Sequence, residues 1–355
     1  MDLPAHSTTD HDPLRQILGA EGLDFLGVAP VPGVQDVGER QAQYRAWLAS
    51  GSHGTMAFLE RHEPGKYDPD FVLEGTRAVV IAGLGYFQDR PGLAEGRGLV
   101  ARYAWGRDYH KVLLAKLRRA EGELARLWPG HRWRSFTDTA PLDERYWAEQ
   151  AGASFTARNS LAIRRGAGSW FLLGEILTTL DLPPTRAPSH AQGSCPSGCR
   201  RCTHVCPTGA LSADGRIEAR RCLSYLTIEH RGPIADEFKP ALGSWLFGCD
   251  LCQEVCPFNL GAPTTREPEF QAWRAGPDLD PADLLDLDEA AFTARFGGSP
   301  VHRTGRPGLV RNACLVAANL GRKDLVPRLG ALEQDPDPGV ADAARWARLR
   351  LEATP

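Results

Sequence analysis

At 355 residues, 42% hydrophobic and 24% charged with a formal net charge of −3, the chain has the make-up of an ordinary folded protein of two or three domains. No apolar run approaches the ~18 residues of a membrane span, and the balanced charge argues against non-specific coating of nucleic acid. Residues 1–13 show neither a basic n-region nor an apolar h-region, so no secretory signal is expected. The nine cysteines are then expected in a reducing cytoplasm, where tight clusters hold metal or do redox chemistry rather than form disulfides.

Residues 14–19 read as helix and 24–29 as a short strand. Residues 36–48 are helical, and Ala78-Val-Val-Ile-Ala-Gly-Leu84 is a buried strand. Residues 108–128 form a long amphipathic helix stopped by Pro129-Gly130. A strand at 134–138, a helix at 141–152 with Pro141 in its first turn, and an apolar strand at 169–177 follow. This alternation predicts an α/β domain over residues 1–185. A Pro/Ser/Ala-rich linker at 183–193 leads into a cysteine module, 186–262. Residues 263–355 begin irregularly and end in three short helices at 308–320, 325–333 and 339–351. Asp335-Pro-Asp-Pro338 separates the last two, in the pattern of a short HEAT-like repeat. From Arg295 to the end, ten Arg and Lys face six Asp and Glu, which suits either an RNA-facing patch or a solvated surface.

The cysteine spacing carries the chemistry. It runs Cys195-x3-Cys199-x2-Cys202-x3-Cys206-Pro207, then Cys222, then Cys249-x2-Cys252-x3-Cys256-Pro257. Short spacings let one turn-rich segment wrap a cube of iron and sulfide, and the closing Cys-Pro crosses to the other cluster in two-cluster proteins. Cys195, Cys199, Cys202 and Cys256 are thus expected to hold one 4Fe-4S cluster, and Cys206, Cys222, Cys249 and Cys252 a second, in a ferredoxin-like module. Two zinc sites would use the same eight residues, but seldom in two Cys-x2-Cys-x3-Cys-Pro runs. Cys314, between Ala313 and Leu315, is expected to pack in a core.

Six further stretches carry a resemblance to a family. They are Tyr103-Ala-Trp-Gly-Arg-Asp-Tyr-His-Lys111, Asp138-Thr-Ala-Pro141 with Glu144-Arg145, and Gly168-Ser-Trp-Phe-Leu-Leu-Gly-Glu-Ile176. With them go Cys222-Leu-Ser-Tyr-Leu-Thr-Ile-Glu-His-Arg-Gly232, Phe247-Gly-Cys-Asp-Leu-Cys-Gln-Glu-Val-Cys-Pro257, and Ser299-Pro300 with Arg311-Asn312. Together these resemble the epoxyqueuosine reductases, cobalamin-dependent iron–sulfur enzymes that complete queuosine in the tRNA anticodon. The resemblance implies an N-terminal cobalamin-binding α/β domain, a double-cluster module and a helical tail that docks tRNA. It also implies a monomer in the cytoplasm, with no membrane attachment, fed by an external low-potential electron donor.

The resemblance makes Asp138 the general acid, with a pKa raised by burial, although Asp-Thr-Ala-Pro is equally a helix N-terminus that an Asp or Thr would cap. It places Arg107, Asp108, Tyr109 and His110 at the cobalamin, together with Arg158, Ser169, Trp170 and Tyr225. It does so without a histidine on cobalt. It offers Arg145, Arg303, Arg306 and Arg311 as tRNA contacts. Two departures stand out. Cys195-Pro-Ser-Gly-Cys199 has one residue more than the family's usual Cys-x2-Cys, and Pro196 with Gly198 is expected to shape a bulge that absorbs it. Where the family has Gly-Leu-Gly-Trp-x-Gly-Lys-Asn-Ser, this chain has Gly152-Ala-Ser-Phe-Thr-Ala-Arg-Asn-Ser160, a change expected to reshape the cofactor or substrate pocket. Two other functions fit the cysteines: a cobalamin/iron–sulfur reductase of a small molecule, akin to a reductive dehalogenase, and a ferredoxin-like electron carrier fused to a binding domain.

Overall fold

The computed structural model describes residues 11–31, 37–92, 94–185 and 193–353. The first ten residues, Asp36 at the head of the expected 36–48 helix, and residues 186–192 of the expected linker with its 185/186 boundary lie outside the described residues.

Helix α1 (Asp12–Ala20) leads into strand β1 (Asp24–Pro30), then α2 (Val37–Ala49) and β2 (Ala78–Gly85). After them come α3 (Tyr109–Leu127), β3 (Trp133–Phe136), α4 (Glu144–Gln150) and β4 (Phe171–Thr178). The four strands form one sheet in the order β1-β2-β4-β3, antiparallel throughout. Apolar residues of β2 alternate between its faces. Val80 packs with Leu14, Leu18, Leu113 and Leu117 under α1 and α3. Val79 and Ile81 pack with Leu173, Leu177, Tyr146 and Trp147 under α4. Each such buried side chain contributes about 1.5–3 kcal/mol.

Two predicted boundaries shift where the site is built. The third strand ends at Phe136 rather than at Asp138, and Asp138 leaves the sheet with a left-handed φ of 52°. Asp tolerates that conformation better than most residues. The helix expected from Pro141 begins at Glu144, because the Asp143 side chain caps it by accepting from the Tyr146 N–H at 3.3 Å.

The cysteine module contains three short helices: α5 (Arg201–Val205), α6 (Leu223–Ile228) and α7 (Leu251–Glu254). A small sheet ties it to both neighbours. Strand Trp245–Phe247 pairs in parallel with Gly98–Val100, which pairs on its other side with Asp278–Leu279. One core accordingly runs from Val100 and Trp105 through Leu226 and Phe247 to Leu315 and Ala347. The tail comprises α8 (Gly305–Asn319), α9 (Val326–Leu332) and α10 (Pro338–Ala353). Cys314 is fully buried in α8, as expected. Two helices that the sequence reading missed, Pro281–Leu285 and Glu289–Phe296, start at Asp280 and Asp288, whose side chains cap them.

Candidate active site and cysteine centres

Asp138 stands where β3 runs out, facing the first turn of α3. Its Oδ2 accepts from the Tyr109 hydroxyl at 2.6 Å and lies 3.3 Å from His110 Nε2. The other imidazole nitrogen, Nδ1, is 2.8 Å from Oδ1 of Asp108, which also caps α3 by accepting from the His110 N–H. The side chain of Asp138 is 57% accessible although protein crowds it on several sides, so it borders a concave hollow open to solvent. Burial pushes its carboxyl pKa up. Hydrogen bonds from His110 and Tyr109 and the imidazolium charge outweigh that and hold it below the ordinary value. Burial in turn lowers His110, but its two carboxylate partners prevail and raise it to about 9. The expected raised pKa of Asp138 is therefore corrected: the proton resides on His110, paired with an ionised Asp138.

Beneath this loop lies a pair of carboxyl groups. The backbone N–H of Asp138 donates to the Glu144 carboxyl. Glu175, on β4, shares the sheet face of Leu173 and Leu177, under α4, and is completely buried. Its two oxygens have no donor in reach among the described residues, and its side-chain partner is the Glu144 carboxyl. Two carboxyl groups can bond each other only with a proton between them. Burial, with the Asp138 charge nearby, raises Glu144 to about 8, and burial with the Glu144 charge drives Glu175 well above the carboxylate range.

The aromatic side of the hollow leads toward the cysteines. Tyr109 meets Tyr103 edge-on with ring centroids 5.9 Å apart, and Tyr103 leans on Phe247 at 6.1 Å. Phe247 is two residues from Cys249. Cys249 lies close to Cys222 and Cys206, and Cys252 close to Cys249 and Cys222. Cys222 and Cys249 pack against the main core. The other four, Cys195, Cys199, Cys202 and Cys256, line one surface cavity with Ala157, Arg158, Arg201 and Phe258. Among the described residues no three ligating side chains converge tightly enough for a single metal ion. The thiols flank a space rather than meet at a point, and two sets of four soft donors suit two cubane clusters. Gly198, at a φ of 74°, and the 3.1 Å bond from the Cys199 N–H to the Pro196 carbonyl form the bulge that absorbs the extra residue.

Residues 195–259 match the family described as 4Fe-4S double cluster binding domain, and residues 66–139 match Epoxyqueuosine reductase QueG, DUF1730. The chain is 40% identical over 346 residues to an epoxyqueuosine reductase of Xanthomonas campestris pv. campestris, covering 94% of each chain. The chain belongs to the epoxyqueuosine reductase family. It is 36% identical to the Pseudomonas aeruginosa member, covering 93% of this chain and 91% of that one. Among solved structures it superposes on the Streptococcus thermophilus epoxyqueuosine reductase with a TM-score of 0.86 at 27% identity, over 98% of this chain and 92% of that one. An epoxyqueuosine reductase solved with an epoxyqueuosine-modified tRNA stem loop gives 0.86 at 29% identity, covering 95% and 88%.

Within this family framework, several expected contacts move elsewhere. Arg158 is turned to the outer cysteines. Its N–H donates to Cys195 Sγ at 3.3 Å, its Nε to the Ala213 carbonyl at 2.8 Å and its Nη1 to the Cys199 carbonyl. Phe155 and Ala157 of the altered loop pack with Cys195 and Cys256 of the surface set, Asn159 reaches the Cys252 carbonyl of the inner set and Ser160 bonds Gly215. The 152–160 change thus bears on the surroundings of the surface cysteines, while Ser160 also receives Arg145 from α4. Ser169 is turned inward, donating to Gln253 at 2.9 Å and receiving Asn259 Oδ1 on its N–H at 2.6 Å. Trp170 is buried beneath Arg102, Tyr86 and Phe87. The Tyr225 hydroxyl is taken up by Thr55, at 2.9 Å to both its N–H and its Oγ1. All three are engaged within the fold. Arg107 pairs with Glu269 at 2.7 Å.

Two of the four proposed tRNA arginines are structural. Arg306 is tied to Asp335 at 2.6 Å and to the Leu287 carbonyl. Arg311 is 1% exposed and donates to the carbonyls of Leu226, His230 and Gly232. Arg303 and Arg145 remain at the surface. Arg303 forms a two-pronged pair with Glu229, and its guanidinium feels the Asp138 charge. Arg145 donates to the Ser160 carbonyl. Lys66 and His62, which also feel Asp138, come from a loop far away in sequence and carry no signal of their own.

Proposed function

We propose that this chain reduces epoxyqueuosine to queuosine in the tRNA anticodon, as the names of its relatives imply. The observation that carries the reading is the Asp108–His110–Asp138 chain with Tyr109, set at an open hollow whose aromatic side leads to a cysteine set. The domain reading is an α/β cobalamin-binding unit at 1–185, a double-cluster module at 186–262 and a linker with a HEAT-like tail at 263–355, in a cytoplasmic monomer. Cys195, Cys199, Cys202 and Cys256 would hold one 4Fe-4S cluster, and Cys206, Cys222, Cys249 and Cys252 the other.

A corrin is a flat, apolar ring edged with amides, and the hollow offers it the tyrosine rings of Tyr103 and Tyr109 beside polar groups at the head of α3. Bound cobalamin supplies a strongly reducing, nucleophilic metal for opening the epoxide ring. His110 has both nitrogens engaged by carboxylates, which leaves none for cobalt.

The net change adds two electrons and two protons and releases the epoxide oxygen as water. The Asp138–His110 pair governs the protons. As negative charge grows on the oxygen, the proton on His110 Nε2 crosses to the Asp138 carboxyl and on to the departing oxygen. Asp108 then stabilises the imidazole in the tautomer that refills from solvent. A donor placed so typically contributes about 10²–10⁴-fold in rate. Arg303 and Arg145 are the retained candidates for backbone phosphate. Anaerobic incubation of the fully loaded enzyme with epoxyqueuosine-containing tRNA and a strong reductant, followed by nucleoside analysis, tests the function. Queuosine should replace epoxyqueuosine; no conversion by enzyme with both clusters and cobalamin in place would overturn it.

A further inference from the structure

The two cysteine sets differ in how they meet the surface. Cys222 and Cys249 sit against the main core among buried Leu223, Tyr225 and Phe247. Cys195 and Cys256 belong to a small satellite cluster with Phe155, Ala157 and Ile163; exposed Pro196 and Arg201 line their cavity, and exposed Arg200 precedes Arg201 in the chain. The deep set adjoins the aromatic path to Asp138, so the outer set is the port at which electrons enter.

The charge around that port is one-sided. Residues 157–169 and 194–216, which supply most of its lining, contain six arginines, no lysine and one acid, Asp214, itself bound to Arg216 at 2.7 Å. The chain as a whole is at −3. Arg200 and Arg201 stand between two of the cysteines, exposed, and neither guanidinium forms an ion pair or hydrogen bond among the described residues. Beyond Cys256, Leu260 presents an apolar side chain that is 77% exposed, the highest of the exposed large hydrophobics. An apolar contact beside a rim of unpaired cations is the make-up of a small, transient protein interface, where charge steers encounter more than it adds affinity. Among the described residues no Phe, Tyr or Trp ring stands exposed there, the platform that stacking on single-stranded RNA favours, although the His204 ring of α5 is exposed.

Resting on the reductase reading, we infer that the Arg200–Arg201 face beside Leu260 docks a small acidic one-electron carrier protein. The carrier is oxidised twice per turnover and delivers both electrons to the Cys195/Cys199/Cys202/Cys256 cluster.

The test uses the enzyme with both clusters and cobalamin, and a double charge reversal, Arg200→Glu with Arg201→Glu. The probe is a reduced acidic flavodoxin, with dithionite-reduced methyl viologen as a small cationic alternative. Bleaching of the cluster absorbance in the stopped flow reads electron entry directly, whether or not tRNA is converted. The variant should accept electrons from flavodoxin at least about tenfold more slowly at low salt and lose most of the salt dependence. Its reduction by the cationic viologen should not fall, and should rise if anything at low salt, and its tRNA affinity should be unchanged. Equal flavodoxin rates in wild type and variant would overturn the inference. A fall in tRNA affinity with unaltered flavodoxin rates would assign the face to RNA instead. Normal bleaching in wild type without nucleoside conversion would count against the reductase reading and leave the docking result standing.

Discussion

Replacing Glu175 by glutamine should make the protein more stable at alkaline pH. In the folded state burial and the nearby Glu144 and Asp138 charges keep Glu175 protonated, and among the described residues no donor faces its oxygens. Glu144 is raised from 4.5 to about 8, so the native state holds a proton that the unfolded chain has lost throughout that window. Stability from this pair therefore falls as pH rises from about 4.5 toward 8. At ~1.4 kcal/mol per unit, the shift would withhold roughly 4–5 kcal/mol, which solvent at half-buried Glu144 discounts to about 2–3. A glutamine amide at 175 donates to an ionised Glu144 and removes the need for the proton. Urea unfolding at pH 5, 6, 7 and 8 should show the two proteins close at pH 5 and the variant about 2 kcal/mol more stable at pH 8. His110, raised from 6.5 to about 9, also loses its contribution as pH climbs through that range, equally in both proteins. The difference between the curves thus isolates the carboxyl pair. Parallel curves would refute the raised pair of carboxyl groups.

Asp138→Asn should leave cluster absorbance and cobalamin content intact and cut nucleoside conversion by about 10²–10⁴-fold. In wild type, conversion should decline above about pH 9 as His110 deprotonates, and His110→Gln should abolish that alkaline limb in a pH–rate profile. Cys256→Ala, although in the second cysteine run, should abolish the paramagnetic signature of the cluster held by the first, and Cys206→Ala the converse. Arg311→Ala should lower unfolding free energy by about 2–3 kcal/mol, since it strands one buried and two partly buried carbonyls. Arg303→Ala should leave stability nearly unchanged and weaken tRNA binding with a shallower salt dependence.

Local chemistry was the legible part. The period-two and helical patterns located the sheet strands and the long α3 to within a few residues, and cysteine spacing alone separated the two sets that the fold brings together. Asp138 was found through the family resemblance, but its protonation was misjudged, since that depends on His110 and Tyr109 closing over it from another element. Glu175 was invisible as a site residue: one acid within the apolar run Leu172-Leu-Gly-Glu-Ile-Leu177 was the hint, and its partner lies on a different element. Arg306 and Arg311 show the same limit. Sequence reveals a charge but not the Asp335 or the Leu226 carbonyl that consumes it. The 152–160 loop was read as pocket-forming because its glycines were missed, whereas the fold places it on the outer cysteines.

The crossing of the cysteine runs has a consequence for how the protein matures. Each proposed cluster takes three thiolates from one stretch of chain and one from the other, like two buckles each fastened through the other's strap. Neither cluster can close while the partner stretch is unfolded, so iron loading is expected to proceed as a single cooperative event. Oxidative loss of the outer cluster would release Cys256, whose neighbouring helix α7 carries Cys252, and so loosen the inner one. Damage at the exposed port would then disable the electron path as a whole, rather than leave a half-wired enzyme.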